Sequence, residues 1–179
     1  NGPFTLEMRM EVGSRHLPLL PYAKRMLDRS GAGNISSNDL KIEWYKLGTD
    51  FAFAVRESLS SMVMTGLDEN FEDSLKLGRD LIEKPNISNE TWDETKNIIL
   101  AEREDEQKDP RAISNALAHF HRYGTRSRYI ERPSDKDLNA TNVEALRVML
   151  KSILQAEKTV LYYGPKSPDE VIHSISQGF

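Results

Sequence analysis

The chain begins with a strict alternation of apolar and polar residues over residues 4–12. A period of two places the apolar side chains on one face of a β-strand and the polar ones on the other. The pattern predicts a strand whose buried face carries Phe4, Leu6, Met8, Met10 and Val12. The same period over residues 51–55, followed by an apolar run at residues 62–64, predicts a β-hairpin.

Apolar residues spaced three and four apart predict helices along most of the remaining chain. The first follows residues 13–14 and runs toward a glycine-rich break at residues 31–33. Ser36, with Asp39 three residues later, is typical of a capping box, and it predicts a second helix that ends at Gly48. Further helices are predicted after the capping residues Asn70, Asp109 and Ser167, from Asn89 onward, and from Asn142 to Glu157.

Two segments between these helices have other patterns. Residues 125–137 are polar and predict an irregular connection, whereas residues 159–163 predict a short apolar strand. The order is thus strand, two helices, two strands, several helices, strand and helix. It predicts an α+β fold, a mainly antiparallel β-sheet with helices packed on one face. We expect residues 1–179 to form a single α+β domain and to be a fragment of a longer multi-domain protein.

Composition narrows the functional classes. The 179 residues include no cysteine, which excludes disulfides, thiolate nucleophiles and cysteine-based zinc sites. A net charge of −4 argues against binding to nucleic acid. No apolar stretch approaches the roughly 20 residues of a transmembrane helix, so we expect no transmembrane segment. The bacterial periplasm and the cytoplasm are both compatible with this composition, and we favour the periplasm slightly.

Three groups of residues could carry chemistry. His119 and His121 form a His-x-His pair, but on a helix they point about 200° apart, so we expect one half-buried and one solvated histidine rather than a metal site. The charged run at residues 102–106 could supply carboxylates for acid–base chemistry or a divalent ion, although a solvated helix end of alternating charge is the simpler interpretation. No Gly-x-Ser-x-Gly or phosphate-binding glycine loop occurs.

The third group lies in residues 123–132, where arginines and tyrosines are concentrated between two helices. The part from Arg126 to Arg132 could hold a peptide carboxylate or a polypeptide backbone. It could equally be a connecting loop that is attached to its own domain, which is the interpretation we favour.

Several phrases, in their order and spacing, resemble one half-domain of the pitrilysin/insulinase family of zinc metallopeptidases, to which mitochondrial processing peptidases also belong. The resemblance spans nearly the whole chain. It is carried by the opening strand with Gly13 and by residues 20–27 (LPYAKRML), 43–48 (EWYKLG), 64–72 (MTGLDENFE) and 161–167 (LYYGPKS).

The resemblance implies where a zinc site would lie. In active members a helix after the first strand carries His-x-x-Glu-His, and a third ligand, a glutamate, follows roughly seventy to eighty residues later. These positions correspond here to Pro21, Lys24 and Arg25, with Glu102 located 77 residues beyond Arg25. Proline has no ligand atom, and ammonium and guanidinium groups repel a dication. We therefore expect no catalytic residue and no metal ligand in this chain.

The resemblance thus implies the first domain of an inactive, C-terminal half. The expected function is that of a non-catalytic domain of a zinc metalloendopeptidase, which encloses and contacts polypeptide substrate and supports an active half, in the same polypeptide or in a partner subunit. Zinc is expected in that active half only. The family's substrate-anchoring arginine and tyrosine are expected in a later domain, so their role is not transferred to Arg128 and Tyr129.

Two alternatives stay open. One is a structural or interaction subunit of the same fold whose parent protein has no peptidase activity. The other is an unrelated small α+β binding domain, which would have a different order of strands and helices.

Overall fold

A computed structural model describes residues 2–178. Its strands are β1 (Pro3–Met10), β2 (Gly31–Ala32), β3 (Asp50–Val55), β4 (Ser60–Leu67), β5 (Pro85–Asn86) and β6 (Lys158–Tyr163). Its helices are α1 (Leu20–Leu27), α2 (Ser37–Leu47), α3 (Phe71–Glu83), α4 (Asn89–Glu106), α5 (Pro110–Tyr123), α6 (Arg128–Glu131), α7 (Asp135–Ala140), α8 (Val143–Ile153) and α9 (Pro168–Gly178). The predicted order of strands and helices is confirmed, except that the two-residue strands β2 and β5 were not predicted.

The main sheet has four antiparallel strands in the order β3-β4-β1-β6. β1 lies in the middle, and its register pairs Leu6 with Met64 of β4 and with Tyr162 of β6. Of the apolar set predicted for the buried face of the first strand, Phe4, Leu6, Met8 and Met10 are buried in β1. Val12 was also predicted to lie there, but it is half-buried and lies beyond the end of β1. β2 and β5 form a separate two-stranded sheet.

Helices α1 and α3 pack against the inward face of the sheet, and α8 contacts both of them. The core is rich in methionine, whose flexible thioether fills irregular gaps between these layers. The opposite face of the sheet carries Thr5, Glu7 and Arg9, none of which is buried. The structure is therefore the predicted α+β fold with helices on one face of an antiparallel sheet.

Most predicted helix ends are confirmed by their capping contacts. The Ser36 hydroxyl accepts a hydrogen bond from the Asp39 amide at 3.1 Å, and Gly48 adopts a left-handed φ of 57° at the end of α2. Asp109 caps α5, and Asn142 caps α8. The cap predicted at Asn70 is wrong, because the Asn70 side chain instead donates to the Leu47 carbonyl at 2.9 Å.

Two boundaries also differ from the predictions. The segment 125–137, predicted to be irregular, contains α6 and the start of α7. The latter begins with a capping box in which Ser134 and Asp137 bond to each other's backbone amides. The helix from Asn142 ends at Ile153 rather than at Glu157, because the next residues turn the chain into β6. No helix among residues 2–178 is long and apolar enough to cross a membrane.

Candidate functional site

The position at which the resemblance puts a metal is occupied by an ion pair. Arg25, on α1, donates two hydrogen bonds to the Glu102 carboxylate on α4, at 2.7 and 2.8 Å. This is the bidentate geometry in which guanidinium and carboxylate groups fit best. The hydrogen bond from Arg25 is the main reason that the pKa of Glu102 lies below its ordinary value. The two residues predicted to correspond to a second and a third ligand thus face each other directly.

The other two positions do not supply metal ligands either. Pro21 lies half-buried in the first turn of α1, and Lys24 forms an ion pair with Asp28 at 2.5 Å. The Glu102 carboxylate is paired with Arg25, and Lys24 and Arg25 are cations, so these four positions do not form a set of ligands that fits Zn²⁺. No group of three or more His, Asp or Glu side chains within residues 2–178 could hold a metal ion.

Residues 102–106 were predicted to be a solvated helix end, but Arg103, next to Glu102 on α4, is buried. Arg103 is only 7% exposed. Its guanidinium donates to the Tyr22 hydroxyl at 2.7 Å and to the Pro133 carbonyl at 2.8 Å, and it also pairs with Asp135. Burial by itself would lower the pKa of Arg103, but the hydrogen bonds to Asp135 and Tyr22 raise it overall. One side of the charged run at residues 102–106, the side that carries Arg103, therefore faces the interior of the domain.

The two histidines of the His-x-His pair lie in α5, as predicted, and point in different directions. His119 is half-buried, with Nδ1 3.1 Å from the Ser127 hydroxyl and Nε2 3.6 Å from the Glu57 carboxylate, whereas His121 is exposed. Although a hydroxyl, an imidazole and a carboxylate lie in series, Ser127 is fully buried and has no open side from which a substrate could approach. The series therefore connects α5 to the β3–β4 turn and is not a nucleophilic site.

A polar cleft of about 290 Å³ opens beside Pro21, and we call it the arginine cleft. It is lined by Ser14, Arg15, Pro18, Pro21, Tyr22, Glu57, Glu106, Arg128, Tyr129, Glu131 and Arg132. Two of its arginines are paired: Arg15 with Glu57 at 3.0 Å and Arg132 with Glu106 at 2.6 Å. The segment from Arg126 to Arg132 is thus attached to its own domain at Arg132, as we favoured, and it also forms one wall of a cleft.

A second accessible feature is the edge of the sheet at β3, which pairs only with β4 among the described strands. The Arg56 amide donates to the Leu59 carbonyl at 2.7 Å, so these two residues form a hydrogen-bonded pair. Along an antiparallel ladder, hydrogen-bonded and non-hydrogen-bonded pairs alternate, which makes Phe51 and Phe53 members of non-hydrogen-bonded pairs. The main-chain groups of Phe51 and Phe53 therefore point away from β4, toward the open edge. α1 and α2 flank this edge and form a groove with it, lined in part by Lys24 and Trp44.

Sequence reasoning missed the burial of Arg103 and the arginine cleft. The acceptors of Arg103 lie 81 and 30 residues away along the chain, so no local pattern indicates them. The cleft is assembled from four separate segments, and only its arginine-rich wall is visible as a composition signal.

Comparisons with known proteins find similarity in structure but not in sequence. No protein-family model matches the sequence, and neither does any curated protein. Among solved structures, the ferredoxin protease FusC, solved in complex with Arabidopsis ferredoxin, aligns over 98% of this chain with a TM-score of 0.82 and 13% identity. The periplasmic protease PqqL from Escherichia coli aligns over 98% with a TM-score of 0.81 and 14% identity.

A peptidase M16 inactive domain from Pseudomonas fluorescens aligns over 98% of this chain, with a TM-score of 0.78 and 19% identity. The chain spans 20% of the length of each of the two proteases and 44% of the inactive domain. At such identities the likeness concerns the fold. The chain has the fold of M16 (insulinase-like) peptidase domains, including one described as inactive.

Proposed function

We propose that this chain is a non-catalytic domain of a zinc metalloendopeptidase, which helps to enclose a polypeptide substrate and supports a catalytic half. The observation that carries this proposal is the Arg25–Glu102 pair. On a fold shared with M16 peptidases, a guanidinium lies where a ligand to the metal would be required.

Contact with polypeptide is supported by the open edge of β3. Unpaired main-chain groups on an edge strand can add an extended peptide as a further strand. This edge lies beside α1, and the groove between them includes Lys24. A polypeptide lying on β3 would therefore pass next to Lys24, the residue before Arg25 on α1. The likeness to a periplasmic protease also supports our preference for the periplasm.

The proposal is tested by measuring zinc content after dialysis against zinc and then against buffer. The chain itself should retain no stoichiometric zinc and should cleave no peptide. The triple variant Pro21→His, Lys24→Glu, Arg25→His places a complete motif opposite Glu102 and should retain about one zinc per chain. The matched control adds Glu102→Gln to the triple variant, and it should bind zinc far more weakly because one ligand is lost.

Two results would contradict the proposal. Chelator-sensitive proteolysis by the unaltered chain would show that it is itself catalytic. A triple variant that has the circular dichroism of the unaltered chain but gains no zinc would show that the motif does not correspond to these positions. If the triple variant fails to fold, the double variant Pro21→His, Arg25→His provides the same comparison of zinc content with and without Glu102.

The parent sequence distinguishes this proposal from a purely structural subunit. An intact His-x-x-Glu-His in a neighbouring half, followed by a distant glutamate, is expected for a peptidase assembly. Its absence from every neighbouring half would favour the structural role.

A further inference from the structure

The arginine cleft adjoins a second, apolar cleft. The second cleft has a volume of about 320 Å³ and lies between α5 and α6. Glu106, Tyr129 and Arg132 line both. The two clefts are therefore neighbours, and a ligand that spans Tyr129 would contact both. We call the two clefts together the α5–α6 trough.

The apolar part of the trough is formed by an apolar stripe on α5. Ile113, Leu117 and Phe120 share one face of the helix, and Ile130 of α6 lies opposite. A stripe at this spacing normally packs against a core. Here no residue of α5 is buried, and Leu117 is 65% exposed. Exposed apolar clusters with a polar rim mark binding sites.

The charged part of the trough has one unpaired cation. Arg128 has no carboxylate within 4 Å among residues 2–178, whereas Arg15 and Arg132 each have one. The Arg128 guanidinium donates to the Tyr129 hydroxyl at 3.2 Å, and this bond is the main reason that its pKa is raised. The phenol hydrogen and the remaining guanidinium N–H groups are then free to donate. Several donors at one point are what a carboxylate requires.

Carboxylates of the trough itself compete for this cation. Glu57 and Glu106 are held by Arg15 and Arg132, but Glu131 lies three residues after Arg128 on α6 and forms no ion pair among the described residues. Residues three apart on a helix are neighbours. Glu131 thus places a negative charge near Arg128, as Glu57 and Glu106 do at longer range, and these charges oppose the binding of a further carboxylate.

We propose that the α5–α6 trough binds a polypeptide segment in which a carboxylate lies next to a large apolar side chain. The carboxylate is held by Arg128 and Tyr129, and the apolar side chain lies against Leu117 and Phe120. This site deepens the polypeptide-contact role proposed above and rests on it. The trough differs from the β3 edge because it recognises particular side chains of the polypeptide, whereas the β3 edge would pair with any polypeptide backbone.

Binding is measured by fluorescence anisotropy with labelled, C-terminally amidated octapeptides. One peptide has adjacent Phe and Glu, and its partner has Gln in place of Glu. The Glu peptide should bind about tenfold more tightly than the Gln peptide, in line with the strength of charge-assisted hydrogen bonds. A third peptide has Gln in place of Glu, and it ends in Phe with a free C-terminal carboxylate instead of an amide. It shows whether the bound carboxylate can come from a chain terminus as well as from a side chain. Equal binding of all three would overturn the proposal.

Matched variants assign the effect to the trough. Arg128→Gln should remove the preference for the Glu peptide, whereas Arg126→Gln, which removes a charge two residues away and outside both clefts, should leave it intact. Glu131→Gln should tighten binding severalfold. Leu117→Ser should weaken the binding of all three peptides, and Ile172→Ser, at a site 62% exposed and remote from the trough, should not.

Three further outcomes contradict the proposal. The two arginine variants could have equal effects, or the two serine variants could have equal effects. Decanoate could also displace the Glu peptide at the same concentration as unlabelled peptide does. The last would assign the trough to lipids. The zinc test of the triple variant does not involve Arg128. A failed peptide test would therefore leave the metallopeptidase proposal standing, and a failed zinc test would leave a peptide-binding trough.

Discussion

Replacement of Arg103 by alanine should be among the most destabilising single changes at a charged residue of this chain. The guanidinium joins α4 to α1 through Tyr22 and to the start of α7 through Pro133 and Asp135. Since Arg103 is buried, water cannot readily replace these partners, and truncation leaves acceptors without a donor.

The magnitude follows from the exposure of each partner. A hydrogen bond to a charged group contributes roughly 1.5–3 kcal/mol where it is shielded from water. Tyr22 and Pro133 are half-buried, so we take the low end of that range for both. Asp135 is 63% exposed, and an ion pair of that kind contributes about 0–1 kcal/mol. The expected loss for Arg103→Ala is about 3 kcal/mol, equivalent to a fall in Tm of roughly 6–12 °C at this chain length.

Urea unfolding followed by tryptophan fluorescence measures the loss, with the m-value checked for constancy. Arg103→Lys keeps the charge but not the planar fork, so it should recover only part of the stability. The control is Arg25→Ala, which removes an arginine of α1 whose partner is largely exposed. If Arg103→Ala loses less than about 1 kcal/mol, or no more than Arg25→Ala, the assignment of Arg103 as a buried connection is wrong.

Two further predictions concern the site and the turn that leads into it. Arg25→Gln should cost at most about 1 kcal/mol at neutral pH, because the pair with Glu102 is exposed. The pKa of Glu102 is lowered in the folded chain, so the pair's contribution to the free energy of unfolding is complete above the ordinary pKa of 4.5 and is lost as pH falls below it. If the difference in stability between the unaltered chain and Arg25→Gln persisted in acid, this reasoning would be wrong. Gly13→Ala should destabilise by about 3 kcal/mol or more, because its Cβ would lie 2.3 Å from the Arg56 carbonyl oxygen. Gly2→Ala, with open space around it, is the control in the same thermal denaturation, and equal Tm values would refute the steric argument.

The elements that could be predicted are those fixed by local chemistry. The alternation in β1 places Leu6 and Met8 in the core, and the serine and aspartate caps begin α2 and α5 where expected. The capping box at Ser134 is also a local signal, but in a polar segment without apolar periodicity it does not by itself indicate α7.

What could not be predicted depends on contacts between distant segments. Periodicity shows that Ile113, Leu117 and Phe120 share a face, but not whether that face meets the domain's own core or the outside. The same limit applies to residues 102–106, in which the charges alternate regularly while only Arg103 is buried. By contrast, the family resemblance assigned Arg25 and Glu102 to two ligand positions of one site, and in the structure these two side chains form an ion pair.

Adjacent residues of α4 explain how this fold can lack metal ligands and remain stable. Successive helical side chains point about 100° apart, so Glu102 faces solvent and Arg25 while Arg103 faces inward toward Tyr22. A metal bridging α1 and α4 would hold the two helices together on the outer side of this contact, and Arg103 already holds them on the inner side. Substitution of the outer residues therefore changes chemistry at small cost in stability, whereas substitution of the inner arginine is costly. Because the inner contact joins α1 and α4 independently of the outer pair, a domain of this architecture can lack metal ligands and keep its fold.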